Sequence, residues 1–159
     1  MMLIDILRWL HVIGATVLLG TGAGIAFFML MAHRTGDAKL IAHVAGTVVI
    51  ADAIFTATAV VAQPITGIWL ALAVGWSLGE GWIVLSIALY MLTGLFWLPV
   101  VFIQMQLRRL AGEAAAAGRP LGPDYHRLFS IWFWCGFPAF AAVLAIVWLM
   151  VSKPKLILW

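Results

Sequence analysis

The chain has 159 residues, of which 65% are apolar and 9% charged, with a formal net charge of +3. Soluble domains carry about 25% charged residues, so composition excludes a water-soluble globular domain and points to one domain for which lipid is the solvent. The single cysteine, Cys135, excludes an intrachain disulfide and reads as a small apolar filler.

Crossing about 30 Å of hydrocarbon takes roughly 20 apolar residues in a helix. Four stretches qualify: about Leu3 to Ala32, Leu40 to Ala62, Gly81 to Leu107 and Leu128 to Val151. The first starts almost at Met1 without a basic leader or a cleavage site, so it is expected to stay as a helix rather than act as a signal peptide. The expected fold is all-α, a bundle of four transmembrane helices.

Within the first span, Gly20 and Gly24 form a small-xxx-small pair suited to close helix packing, within the chain or in a homo-oligomer. Arg34 to Lys39 is a short polar turn containing Gly36. Gln63 to Glu80 opens with Gln-Pro, contains Gly67, Gly75 and Gly79, and is otherwise apolar; it reads as an interfacial or re-entrant segment. Arg108 to Arg127 is the one solvated loop. Pro99 and Pro138 are expected to kink the third and fourth spans. Trp69, Trp76, Trp82, Trp148 and Trp159 fit an interfacial aromatic belt, whereas Trp97, Trp132 and Trp134 lie deeper and could line a site.

Four spans put both termini on one side of the membrane. Arg34, Lys39, Arg108, Arg109, Arg119 and Arg127 fall on the opposite side, against Arg8, Lys153 and Lys155 on the side of the termini. The Lys/Arg excess places the loop side in the cytoplasm and the termini in the periplasm of a bacterial inner membrane. Topology accounts for the Arg108–Arg109 pair, and no nucleic-acid partner is expected.

Ionisable groups inside a bilayer cost about 2.5–3.5 kcal/mol each on insertion scales and mark functional sites by default. Asp52 lies well inside the second span, too short to snorkel. Asp5, Arg8 and His11 form a stripe at helical spacing on the first span, and His11 is expected at a depth similar to Asp52. Asp52, Thr56 and Gln63 form a matching stripe on the second. These six are expected to build one polar pocket on the side of the termini, with Glu80 closing it from the third helix. The alternative is structural: Asp52 pairs with His11 or Arg8 and fixes helix register.

His33, His43 and His126 all fall near the cytoplasmic interface, where imidazole can serve a metal, although their spacing matches no tight motif. A membrane b-type haem needs a histidine buried among aromatic and small residues. His11 has Trp9 and Gly14 nearby, Met91 is at a comparable depth as a second axial ligand, and Arg8 is placed to pair with a propionate. Gln104 and Gln106 read as interface residues. No nucleophile–base pair, phosphate loop or cysteine cluster is present in the sequence.

The runs Leu10-His11-Val12-Ile13-Gly14, Gly20-Thr21-Gly22, Asp52-Ala53-Ile54-Phe55-Thr56, Gln63-Pro64-Ile65-Thr66-Gly67 and Lys153-Pro154 resemble bacterial predicted integral membrane proteins of domain of unknown function 2269. That resemblance implies a fold and little chemistry. More distantly, the Leu-His near the start of the first helix, with His33 at its end, looks like HemJ-type protoporphyrinogen oxidases and CopD-like copper proteins. The resemblance implies haem on His11. The run Trp82-Ile83-Val84-Leu85-Ser86 lacks the histidine and lysine of the HemJ pattern, which argues against that oxidase activity. The methionines form no cluster of the kind copper handling needs. The leading expectation is a pocket on His11 and Asp52 binding a cofactor or small ligand, haem b with a redox role and an electron-transfer partner foremost. The alternatives are a small proton-coupled or metal-handling transporter, and a structural or assembly subunit.

Overall fold

A computed structural model describes residues 1–156 and contains four long helices. These are α1 (Met2–Thr35), α2 (Ala38–Val74), α3 (Gly81–Ala116) and α4 (Pro123–Ser152), each long and apolar enough to cross a membrane. Trp159, expected in the aromatic belt, lies outside the described residues. The protein is a multi-pass membrane bundle in contact with lipid. Large side chains such as Phe28, Ile65, Leu95 and Trp148 lie exposed on its outer surface, as hydrocarbon solvent permits.

The helices stop where the sequence supplies a stop. Gly36 takes the left-handed conformation (φ 68°) and its N–H bonds back to the His33 carbonyl, while the Asp37 carboxylate accepts from the Lys39 and Leu40 amides and starts α2. Gly75, also left-handed (φ 90°), ends α2. The chain thus has a basic side, holding the Gly36 turn and the loop before Pro123, and a termini side, holding the start of α1, the end of α4 and the turn from Gly75 to Glu80.

α2 is the unusual member. It comprises an α-helical half (Ala38–Ala51), a π-helical turn (Asp52–Thr56) and a second α-helical half (Ala57–Val74). The half on the basic side packs against α3 and α1. The half on the termini side packs chiefly against α1, and α3 pairs most extensively with α4. A π turn carries one residue more than the α-helix it interrupts, so it rotates everything after it by about 100°. This rotation is what lets one continuous rod change neighbours.

The segment from Gln63 onwards therefore corrects the sequence expectation. It is not re-entrant: the helix runs through Pro64 to Val74, and only Gly75–Glu80 is a turn. Pro64 removes an N–H and leaves the Val60 carbonyl without its helical donor. The Tyr90 hydroxyl of α3 fills that role. Membrane helices tolerate proline where a neighbour satisfies the freed acceptor in this way.

The main core lies in the basic half and joins all four helices through Met29, Ile41, Ala45, Leu107, Ala111, Tyr125 and Trp132. A smaller cluster of Ala71, Trp82, Ile83 and Leu149 ties the termini side together. There Lys153 adopts a left-handed conformation (φ 42°) and turns the chain back, placing its ammonium 5.7 Å from the Trp76 ring centre. The backbone of Leu156 lies against Gly81, where no side chain would fit.

Candidate functional site: two polar clusters along α2

The six-residue pocket expected from the sequence is divided in two. Rise per residue shows why. With α2 extending to Val74, Asp52 is about 33 Å from the termini-side end of its helix and about 21 Å from the other end. His11 is about 14 Å from the start of α1. The two are at different depths, and the π turn also points Asp52 and Gln63 in different directions.

On the termini side, His11 meets the second half of α2. His11 Nδ1 and Thr66 Oγ1 share a 3.0 Å hydrogen bond, and the Thr66 hydroxyl also lies 2.8 Å from the Ala62 carbonyl of its own helix. Gln63 donates from Nε2 to the His11 backbone carbonyl at 2.8 Å. Two glycines admit these groups. A Cβ on Gly14 would collide with the Gln63 amide, and one on Gly67 would lie 2.9 Å from His11 Cε1. Close helix packing thus uses Gly14 and Gly67. At Gly20, Gly22 and Gly24 a Cβ would meet nothing within 4 Å, so the expected Gly20/Gly24 contact does not form inside the chain.

In the basic half, Asp52 is 5% exposed and is the only acidic or basic side chain buried among the described residues. Its neighbours are neutral donors. Gln104 Nε2 donates to Oδ2 at 3.1 Å and Trp97 Nε1 donates to Oδ1 at 3.3 Å. Gln104 is itself oriented by Trp132, whose Nε1 donates to Gln104 Oε1 at 3.0 Å. One turn along α2, the buried Thr56 hydroxyl has no hydrogen-bond partner. Asp52 makes no ion pair with Arg8 or His11, which corrects the expectation of a register-fixing pair.

The remaining candidates disperse. Arg8 and Asp5 pair with each other at 3.4 Å on the exposed start of α1. Met91 is 68% exposed on α3, a helix whose main packing partners are α2 and α4, not α1. Glu80 is the residue before α3 in the termini-side turn, far along the chain axis from Asp52. His11, Arg8, Asp52 and Met91 are thus not gathered into a haem pocket; of the four, only His11 is a partly buried imidazole.

Of the three interfacial histidines, His33 stacks on Phe129 (ring centres 3.6 Å apart, planes 7° apart) and shares a 3.2 Å hydrogen bond with Tyr125. His126 approaches it edge-on at 5.8 Å between ring centres, and His43 is exposed elsewhere on α2. No group of three or more His, Cys, Asp or Glu among the described residues is arranged to hold a metal.

Sequence reasoning singled out Trp97 and Trp132 as possible lining residues and missed Gln104, Thr66 and Tyr90. Gln104 looked interfacial because Arg108 follows one turn later; a glutamine on the same face as buried Leu107 and Ala111 was the available signal.

A family model described as "Predicted integral membrane protein (DUF2269)" matches residues 5–154. No curated protein and no solved structure matches the chain, so the likeness to HemJ-type and CopD-like proteins gains no support from either.

Proposed function

This chain belongs to the DUF2269 family of predicted integral membrane proteins, and for such a multi-pass protein we propose proton-linked transport with Asp52 as the group that takes up and releases the charge. The observation carrying this reading is a buried carboxyl group with hydrogen-bond donors but no cationic partner. A buried charge without a counter-ion is strongly unfavourable. A buried carboxyl group held by neutral donors alone is the natural station for a transported proton or small cation, and exchange at such a station is the elementary step of coupled transport. The unpartnered Thr56 hydroxyl supplies a second polar contact for a water or cation. Towards the termini side, a separate polar cluster of Gln63, Thr66 and His11 lies between α2 and α1. In this reading the membrane is a bacterial inner membrane. The Lys/Arg excess puts Asp52 in its cytoplasmic half and His11 in its periplasmic half.

The test is proton flux into liposomes that hold the purified protein and an internal pH-sensitive dye. Wild type is expected to dissipate an imposed gradient faster than empty vesicles, and Asp52→Asn to return the rate to that of empty vesicles. Equal rates for wild type and Asp52→Asn would overturn the reading.

One observation favours a second reading. His11 is a partly buried imidazole held against Thr66 and packed on Gly67, the setting in which a membrane histidine can ligate a metal or a b-type haem. Haem bound there would supply one-electron chemistry, with Thr66 and Gly67 fixing the ring that holds it. A reduced-minus-oxidised spectrum of protein from haem-sufficient cells would show a band lost in His11→Ala; a featureless spectrum removes this reading and leaves the role of Asp52 intact.

A further inference from the structure

The outer surface of the basic half contains a groove of about 420 Å³ between α2 and α3, lined by Val49, Met105, Arg108, Arg109 and Gly112. Its two ends differ chemically. Val49 and Met105 make an apolar floor within the hydrocarbon-facing length of the helices. Arg108 and Arg109 follow directly on the apolar stretch Gly81–Leu107. That stretch is about 40 Å long, which sets the two arginines at headgroup level.

The arginines are not equivalent. Arg109 is paired with Glu113 at 2.9 Å, whereas Arg108 has no acidic partner among the described residues. Arg108 lies across from Gly46 of α2, its Nε 3.7 Å from where a Cβ would stand, an ordinary contact distance that sets the guanidinium against the α2 backbone. The result is an uncompensated planar donor above an apolar trough, in a position continuous with lipid. Guanidinium groups suit phosphate oxygens, and basic pockets between transmembrane helices hold anionic headgroups.

We propose that this groove is a binding site for an anionic phospholipid, with the headgroup phosphate on Arg108 and an acyl chain along Val49 and Met105. The inference is independent of any transport role for Asp52, whose carboxyl group faces Trp97 and Gln104 in the interior.

The test is native mass spectrometry of the full chain released from mixed micelles of phosphatidylglycerol and phosphatidylcholine. Wild type is expected to retain one phosphatidylglycerol in preference to phosphatidylcholine. Arg108→Gln is expected to lower that retention about fivefold, and Arg119→Gln, which removes the same charge from the loop, to leave it unchanged. Gly112→Leu fills the groove without altering any charge, since nothing lies within 4 Å of a Cβ at that position; it is expected to reduce retention as Arg108→Gln does. Equal loss in Arg108→Gln and Arg119→Gln would overturn the proposal, as would displacement of the lipid by inorganic phosphate, or full retention in Gly112→Leu.

Discussion

The hydroxyl of Tyr90 donates to the backbone carbonyl of Val60, the acceptor that Pro64 deprives of its helical donor. Removing the hydroxyl strands that carbonyl inside the bilayer. Tyr90→Phe is expected to lower stability by about 1–2 kcal/mol, read as earlier thermal unfolding in detergent. In a Pro64→Ala background, where the helix supplies its own N–H, the same substitution is expected to have a much smaller effect. A double-mutant cycle measures that difference.

Gln104 holds two donor–acceptor relationships at once, giving to Asp52 and receiving from Trp132. Gln104→Leu leaves a buried carboxyl oxygen and a buried indole N–H without these partners. A loss of about 2–4 kcal/mol is expected, together with altered indole fluorescence as Trp132 loses its acceptor. Trp132→Phe removes only the outer link and is expected to be milder, which chemical or thermal unfolding of the two variants would compare.

The four spans and their alternating directions were legible because hydrophobic length is additive along the chain: the expected span from Gly81 to Leu107 lies inside α3, and that from Leu128 to Val151 inside α4. The burial of Asp52 was legible for the same reason. Its partners were not. Counting in steps of four and seven from Asp52 to Gln63 assumes an uninterrupted α-helix, and the extra residue in Asp52–Thr56 breaks that count. Pro64 read as a breaker because its compensation comes from Tyr90, a residue on another helix. Local sequence could not report that bond.

The glycines of α1 divide into two kinds. Gly14→Ala is expected to destabilise the protein by about 1–3 kcal/mol, since its methyl group would displace the Gln63 amide from the His11 carbonyl. Gly20→Ala and Gly24→Ala meet open space and are expected to leave the unfolding temperature of the detergent-solubilised protein unchanged or slightly raised.

His33 joins α1 to α4 by ring stacking on Phe129 and a bond to Tyr125. His33→Ala removes both and is expected to reduce stability by about 2 kcal/mol. His33→Phe keeps the stack and is expected to recover about half of it. Since His43 is exposed apart from this cluster, added zinc is expected to shift the unfolding temperature of wild type and His43→Ala equally.

The π turn has a consequence for how this chain can vary. Most positions in a lipid-facing rod accept another apolar side chain, and Ala53, Ile54 and Phe55 are all exposed. Removing any one residue from Asp52–Thr56 is a different kind of change. It would turn the whole stretch from Ala57 to Val74 by about 100°, carrying Gln63 and Thr66 away from α1 and the Val60 carbonyl away from Tyr90. Along this short piece of α2, the number of residues constrains the protein more tightly than which apolar residues they are.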